Sequence, residues 1–290
     1  MNSPIFLIGT QRSGTTLLCQ MLSAHRDIFI KNEVPVRSVF KAEATRDEIE
    51  TGIDQAVKSQ LGKGIAELLK VEGKSIWGLK DPELTAYLGP LKQFLPGARF
   101  IIITRDARAV VNSYMENKWG LGTNAYTGAE RWRNEVEEQL SFEADLPGKA
   151  YRIRYEDLVM ESEQVLKGVC EFLQVPFDKG MLDYTRKKVF VTENRENKNT
   201  FLAPDITLTR KWQKTLNSHE IRVIDSVCEK TMERCGYEVQ SDFYKPPAWM
   251  VQYYRVHQAV IGELQIQYRW RIGHWKRKWV ARAASTRENT

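Results

Sequence analysis

The chain has 290 residues, of which 42% are hydrophobic and 28% are charged, and its formal net charge is +6. This length allows one sizeable α/β domain with appendages or two small domains, and eight Trp, eleven Tyr and eleven Phe exclude a disordered chain. Residues 245–290 carry nine Lys or Arg and two Glu, a net of +7, which leaves a net of −1 for residues 1–244. The basic character therefore belongs to the tail, and the remainder gives no argument for nucleic acid binding.

Neither a secretory signal nor a membrane-spanning segment is indicated. The N-terminus lacks a basic region followed by a long apolar run, and no stretch of about 18 uncharged apolar residues occurs. The four cysteines show neither CxxC nor zinc-site spacing, which favours buried thiols in a reducing compartment; they are Cys19, Cys170, Cys228 and Cys235. We therefore expect a cytoplasmic protein.

Short apolar runs predict strands, and segments with helical spacing of apolar residues lie between them. The predicted strands are 5–8, a run ending at Ile30, 75–80, 99–104 and 150–155. The first predicted helix follows residue 14. The second spans 38–69, with breaks near Gly52 and 62–64. The remaining predicted helices are 84–95, 107–119, 126–145, 158–173 and 218–235. Residues 190–208 are polar and irregular. The alternation predicts an α/β fold with a P-loop-like, mainly parallel sheet that is covered by helices on both faces.

The tail carries apolar residues every three or four positions, which predicts a long amphipathic helix. They are Trp249, Tyr253, Val256, Val260, Leu264, Tyr268, Ile272, Trp275 and Trp279. Its second half is strongly basic. The stripe could pack on the core or on a second subunit. Alternatively, residues 249–282 could bind an anionic membrane surface, which would make this a peripheral membrane protein. We expect two domains, 1–244 and the helical tail 245–290.

The most informative stretch runs from the first strand into the first helix. Gly9 and Gly14 bracket a loop in the positions that glycines hold in a P-loop, and Thr16 stands at the Ser/Thr position. Thr15 stands where a P-loop has lysine, so that Arg12 is the only cation in the loop. Strand, glycine-bounded loop and helix together predict a phosphate site, because this arrangement directs backbone N–H groups at an anion.

Chemically reactive residues also follow the other predicted strands. They are Lys80 with Asp81, then Arg105, then the segment 155–157. The carboxyl ends of parallel strands meet at one edge of a sheet, where ligands bind in open α/β folds. We therefore expect these residues to gather near the loop.

Several segments resemble one family in the same order along the chain. Residues 10–16 resemble the 5′-phosphosulfate loop of the sulfotransferase family, which binds 3′-phosphoadenosine-5′-phosphosulfate (PAPS). Residues 100–114 resemble its 3′-phosphate motif, in which an arginine ends a strand and a serine follows eight residues later on a helix. Residues 155–159 resemble a third signature, and the likeness extends from residue 4 to about 237. Within the family, the resemblance is strongest to the protein-tyrosine sulfotransferase branch and its bacterial relatives. The positions that carry it are Arg12, Glu33 and 80–82.

The resemblance implies roles for particular residues. Glu33 would be the base toward the acceptor hydroxyl, and Lys80 and Arg12 would stabilise the leaving group. The implied cofactor-binding residues are Arg12, Ser13, Gly14, Thr15, Thr16, Arg105, Ser113 and Tyr155. Arg210 or Lys211 is implied near the phosphates, and no metal is expected, because a sulfuryl group carries less charge than a phosphoryl group.

Several of these residues have more than one interpretation. Glu33 could be a solvated turn residue, Lys80 a surface lysine at a strand end, and Arg105 a structural partner of Asp106 or Glu156. Asp81 could orient Lys80 or cap the turn that starts at Pro82. His25 is the histidine nearest the loop, and a structural role is favoured over a role as general base.

We therefore expect a PAPS-dependent sulfotransferase acting on a hydroxyl of a tyrosyl peptide, a saccharide or a lipid. One alternative is a P-loop small-molecule kinase, which would need the missing loop lysine and an acid for Mg²⁺ where Arg105 stands. The other is a non-catalytic nucleotide-binding protein at a membrane surface. The acceptor itself is not readable, since acceptor pockets lie in loops; 36–70, 115–130 and 190–208 are the segments to search.

Overall fold

The computed structural model describes residues 4–287 except 42, 95, 187–204 and 240–243, and it describes 186 and 273–287 by their backbone alone. The chain divides into two compact units. The first contains residues 1–106 and 134–211, and the second contains residues 107–133 and 212–290. The division into 1–244 and 245–290 stays a prediction.

The first unit is built on a five-stranded parallel sheet. Its strands are β1 (Ile5–Ile8), β2 (Ile28–Asn32), β3 (Ile76–Lys80), β4 (Arg99–Thr104) and β5 (Ala150–Arg154). They lie in the order β2-β3-β1-β4-β5, with every pair parallel. The chain moves to one side of β1 for β2 and β3 and to the other side for β4 and β5, so the carboxyl end of β1 lies where the strand order reverses. This confirms the predicted α/β fold.

Each face of the sheet has its own buried core. Phe6 and Ile8 of β1 belong to one apolar cluster, and Ile5 and Leu7 belong to the other, because successive side chains of a strand point to opposite faces. Burial on both faces explains why the central strands β1 and β4 are nearly continuous apolar runs, whereas the edge strand β5 alternates apolar and basic residues.

The helices begin and end close to the predicted positions. They are α1 (Thr15–Ser23), α2 (Val36–Val39), α3 (Arg46–Leu61), α4 (Ile65–Glu72), α5 (Leu88–Leu91), α6 (Ala107–Asn117), α7 (Ala125–Ala144), α8 (Tyr155–Met160), α9 (Ser162–Leu173), α10 (Trp212–Thr215), α11 (Ser218–Arg234) and α12 (Ala248–Arg287). Of the predicted irregular segment, 190–204 lies outside the described residues, and Ile206–Thr209 forms a 3-10 turn.

Four details of the helix prediction are wrong. Within the predicted helix 38–69, α2 ends at Val39 and α3 begins only at Arg46. The predicted helix 84–95 is a 3-10 turn at Leu84–Tyr87, then α5, then a second 3-10 turn at Lys92–Phe94, and Leu95 lies outside the described part of the chain. Pro90 has no N–H to continue a regular helix there. The predicted helix 158–173 is instead α8 and α9, which are separated at Glu161, and Gly52 does not interrupt α3.

The second unit is helical. Helices α10 and α11 both pack on α6. Arg108 of α6 is buried, where it forms an ion pair of 3.6 Å with the buried Asp225 of α11 and lies over the Trp212 ring. Burial of a charge requires such a partner. No helix in the described ranges is both long enough and apolar enough to cross a bilayer.

The tail helix α12 exposes the predicted apolar stripe. All six stripe residues from Trp249 to Tyr268 are exposed, so this part of the stripe is not packed within the second unit. The opposite face of α12 carries the internal contacts instead. The side chains of Trp275 and Trp279 lie outside the described portion.

Gly78 tests the packing of the central strands. A Cβ atom at Gly78 would lie 2.5 Å from the backbone oxygen of Ile5 on the neighbouring strand, whereas a Cβ at Gly89 would meet nothing within 4 Å. We expect Gly78→Ala to lower the free energy of unfolding by about 1–3 kcal/mol, because the backbone of β1 cannot yield easily. Gly89→Ala, directly before Pro90 in α5, is the matched control and should lower stability less than Gly78→Ala does, because no atom beyond its chain neighbours lies near the new Cβ. Urea unfolding measures both, and equal stability of Gly78→Ala and the parent would contradict this packing.

Candidate active site

The loop between β1 and α1 is a tight compound turn. Ser13 donates from its backbone N–H and from its Oγ to the carbonyl oxygen of Thr10, at 3.1 and 2.7 Å. Arg12 and Gly14 both have left-handed backbone conformations, with φ of 72° and 97°. Such a backbone is strained for arginine, and strain of this kind is concentrated at functional sites. Arg12, whose side chain is half-buried, therefore has a strained backbone within this loop.

The first turn of α1 is suited to an anion. Gly14 is its N-cap and supplies no side chain to cap the N–H groups, and the first turn holds no acidic residue. Thr15 is buried and Thr16 half-buried at the same end, and each carries a hydroxyl donor. The helix dipole adds positive potential here. The loop therefore has the donor set that a phosphate requires.

Arg105 connects the loop to two other segments. It follows β4, and its guanidinium donates to the carbonyl oxygen of Arg12 at 3.2 Å and to that of Leu208 at 3.0 Å. The same guanidinium lies 4.3 Å from the centre of the Tyr155 ring. Tyr155 in turn lies against Gly14, where a Cβ would approach its ring to 2.3 Å. The structure thus brings together Arg12, Gly14, Arg105 and Tyr155, as the sequence predicted.

Other predicted binding residues are located elsewhere on the chain. Ser113 lies on α6 in the second unit, where Asn117 Nδ2 donates to its Oγ at 3.0 Å. Its partnership with Arg105 stays a prediction. Arg210 and Lys211 are exposed residues directly after the turn that contains Leu208.

Glu33 and Lys80 form an ion pair at the carboxyl ends of β2 and β3. The register pairs Asn32 with Lys80, and Glu33 donates its backbone N–H to the carbonyl oxygen of Lys80 at 2.8 Å. Lys80 Nζ lies 3.1 Å from Glu33 Oε1. The Lys80 side chain is only 2% exposed and that of Glu33 is 55% exposed, so the carboxylate lies where a ligand can reach it. Glu33 also has a left-handed backbone, with φ of 60°.

Lys31 is a residue that the sequence analysis missed. It is buried, and its Nζ donates to the carbonyl oxygens of Asn32 and Glu33 at 2.5 and 2.8 Å. Burial lowers the pKa of Lys31. These two bonds hold the backbone that turns Glu33 toward Lys80. No local signal points to this role, because Lys31 directly follows the apolar run 28–30 and is itself followed by the polar residues Asn32 and Glu33.

Asp81 holds the same turn from the other side. Its carboxylate accepts from the backbone N–H of Val34 at 3.3 Å and from that of Glu83 at 2.9 Å. It therefore caps the turn after β3 and fixes the segment that follows Glu33. Burial is the main cause that raises its pKa to about 6.

His25 has the structural role that was favoured. It is fully buried, its Nε2 lies 2.8 Å from the carbonyl oxygen of Pro176, and its Nδ1 accepts the backbone N–H of Asp27 at 3.0 Å. Both ring nitrogens are engaged within the fold, which leaves Glu33 as the candidate base.

A family model described as "Sulfotransferase family" matches residues 4–179, more than half of the chain. The chain belongs to the sulfotransferase family. The match includes the loop, Glu33, Lys80, Arg105 and Tyr155. This confirms the predicted family and the assignment as a sulfotransferase enzyme, in preference to the kinase alternative.

Individual relatives agree with the family. The sulfotransferase is 26% identical over 255 residues to "Protein-tyrosine sulfotransferase A" of Caenorhabditis elegans, which covers 81% of this chain and 67% of that protein. It is also 28% identical to "Protein-tyrosine sulfotransferase 1" of Danio rerio over 196 residues, an alignment that covers 62% of this chain and 55% of that protein. This chain therefore spans about half the length of that relative. In fold it is similar to the sulfotransferase domain from the curacin biosynthetic pathway, with a TM-score of 0.64 and 20% identity over 83% of this chain and 99% of that chain.

The pKa of Asp81 leads to a pH-dependent prediction. Folding raises this pKa from 3.8 to about 6, so the folded sulfotransferase binds a proton that the unfolded chain releases between these values. Ionisation of Asp81 therefore costs stability as the pH rises from about 4 to 7, and Asp81→Asn abolishes that cost. We expect the free energy of unfolding of the variant, relative to the parent, to rise over this interval by up to about 3 kcal/mol, from 1.36 kcal/mol per pKa unit. Urea unfolding at several pH values measures this difference, and a difference independent of pH would contradict the assignment.

Proposed function

We propose that the sulfotransferase transfers a sulfuryl group from PAPS to an acceptor hydroxyl, with Glu33 as base and with Lys80 and Arg12 stabilising the charge of the leaving group. The observation that supports this most is the pair of a buried ammonium and an accessible carboxylate at 3.1 Å, beside the anion loop. The β1–β3 register aligns Lys80 with Leu7, two residues before the loop begins at Gly9. Donor binding and proton transfer are thereby assigned to adjacent strand ends.

The nucleotide fits the residues present. Arg12, Ser13, Gly14, Thr15 and Thr16 would hold the 5′-phosphate, because the loop offers backbone N–H groups, hydroxyls and one guanidinium without a carboxylate in the first helical turn. Thr10 adds a buried hydroxyl with no hydrogen-bond partner among the described residues. Bound PAPS supplies the sulfuryl group, and adenosine 3′,5′-bisphosphate remains.

The other phosphate and the base of the nucleotide are assigned to Arg105, Ser113 and Tyr155. Arg105 offers a planar fork of N–H donors, which suits a phosphate dianion. The Tyr155 ring supports the guanidinium by a cation–π contact, which holds it in one orientation. The role of Ser113 rests on the sequence resemblance.

Glu33 accepts the proton of the acceptor hydroxyl. One of its oxygens faces Lys80 at 3.1 Å, and the exposed part of the carboxylate is available to a hydroxyl. The bonds of Lys31 and Asp81 to the backbone of residues 32–34 fix the position from which the Glu33 side chain extends, and Lys80 holds one of its carboxylate oxygens.

Lys80 contributes a fixed positive charge. An ammonium has three N–H donors, and the contact with Glu33 engages one of them, so two can be directed at ligand oxygens. Burial of the lysine excludes water around this charge, which strengthens its interaction with developing negative charge.

We also propose that the transfer needs no metal, since a sulfuryl group carries less negative charge than a phosphoryl group. Across the described ranges, no three His, Cys, Asp or Glu side chains are grouped as a metal site. Metal independence stays a prediction, to be tested with a chelator.

For the acceptor we propose a tyrosyl peptide as the first compound to test, ahead of saccharide and lipid hydroxyls. The support is that the relatives are named protein-tyrosine sulfotransferases. The proposed location is cytoplasmic, as expected from the sequence.

Two variants separate binding from chemistry. We expect adenosine 3′,5′-bisphosphate without Mg²⁺ to raise the melting temperature of the parent and of Glu33→Gln, and to have no such effect on Arg105→Ala. In transfer assays with labelled PAPS and the three acceptor classes, Glu33→Gln should lose a factor of about 10²–10⁴ in turnover, because a positioned base contributes this much.

Glu67→Gln is the matched control, since Glu67 is a similarly exposed glutamate on α4. It should retain turnover. Stabilisation by Mg-ATP alone would contradict PAPS binding, and full turnover of Glu33→Gln would show that another group is the base.

A further inference from the structure

The exposed apolar stripe of α12 has no role in the proposed chemistry. From the described part of the helix it comprises Trp249, Tyr253, Val256, Val260, Leu264 and Tyr268, each between 51% and 70% exposed. Their spacing of three or four residues gives a continuous face about five turns long. A surface of this size rarely remains uncovered in a soluble protein.

Contacts on the opposite face of α12 fix which way the stripe points. Gln258 donates to the carbonyl oxygen of Gly120 at 2.7 Å and accepts the backbone N–H of Thr123 at 2.8 Å. Gln265 accepts the backbone N–H of Gly120 at 2.9 Å. A Cβ at Gly120 would lie 2.9 Å from the carbonyl oxygen of Gly262, so the helix approaches this loop closely. The polar face is therefore anchored, and the apolar face is held outward in advance of any binding.

We propose that this face docks on an anionic phospholipid bilayer, with α12 lying in the plane of the membrane interface. Trp and Tyr are suited to this depth because their rings are apolar and their N–H or O–H groups remain near water. The exposed part of the stripe begins with Trp249 and Tyr253 and ends with Tyr268, and the next stripe residue, Ile272, is half-buried.

Charge favours a membrane over a second copy of the chain. Arg271 is exposed and lies three residues beyond Tyr268, on the same side of the helix. The sequence then adds Lys276, Arg277, Lys278 and Arg282, and the net charge of residues 245–290 is +7. Pairing of two such tails brings like charges together, whereas an anionic bilayer attracts each nearby cation.

A groove beside the stripe has the same mixed chemistry. It has a volume of about 970 Å³ and includes Leu264 and Tyr268 among its apolar walls and Lys118, Arg269 and Arg271 among its cations. This combination is complementary to the phosphate and the first methylenes of a phospholipid.

Vesicle co-sedimentation of the full chain tests the proposal. At about 0.1 M salt, we expect binding to phosphatidylcholine vesicles that contain about 30% phosphatidylglycerol, and weak binding to phosphatidylcholine alone. The double variant Trp249→Ser, Tyr253→Ser should reduce binding at least about tenfold, since two anchoring rings are lost. Arg271→Glu should reduce binding to the anionic vesicles alone by about tenfold.

The matched control is Val71→Ser, Met160→Ser, which removes two exposed apolar residues from the first unit. It should bind vesicles as the parent does. Both double variants should keep the transfer activity toward a soluble acceptor, which also shows that they fold. Equal binding of the parent to both vesicle types would overturn the proposal. It would also be overturned if the parent does not bind vesicles and light scattering shows a dimer that dissociates in the Trp249→Ser, Tyr253→Ser variant.

Discussion

The ion pair between Lys80 and Glu33 is the interaction on which the candidate active site depends. A lysine that is 2% exposed needs a charged partner, and Glu33 supplies it at 3.1 Å. The partner can do so because the chain turns through a left-handed conformation at Glu33, where the backbone N–H also bonds Lys80. Lys31 and Asp81 hold this turn from two sides. The strained turn is thus maintained by its contacts with three buried residues, Lys31, Lys80 and Asp81.

The parallel sheet places this pair beside the anion loop. Both β2 and β1 pair with β3, so the ends that carry Glu33, Lys80 and Gly9 lie at the same edge. On the other side of β1, Arg105 bonds the loop backbone at Arg12, which also has a left-handed conformation. Two of the three residues proposed for chemistry therefore occupy backbone positions that a residue other than glycine seldom adopts.

Much of this site was predictable because its signals are local. Continuous apolar runs identified the strands, and the spacing from Gly9 to Thr16 identified the loop. What depended on tertiary contacts was not predictable. The role of Lys31 needs the carbonyl oxygens of a turn whose shape the sequence does not reveal, and the breaks near Pro90 and at Glu161 occur within segments of good helical periodicity. The stripe of α12 was recognised, but only the structure showed that its polar face makes the contacts.

The central claim is that Glu33 and Lys80 act as one unit in sulfuryl transfer. A double-mutant cycle on PAPS turnover tests it most directly, with the parent, Glu33→Gln, Lys80→Met and the double variant assayed on the same acceptor. We expect strong non-additivity, so that the double variant is no more than a few-fold slower than the slower single variant. Independent, multiplying losses would contradict it.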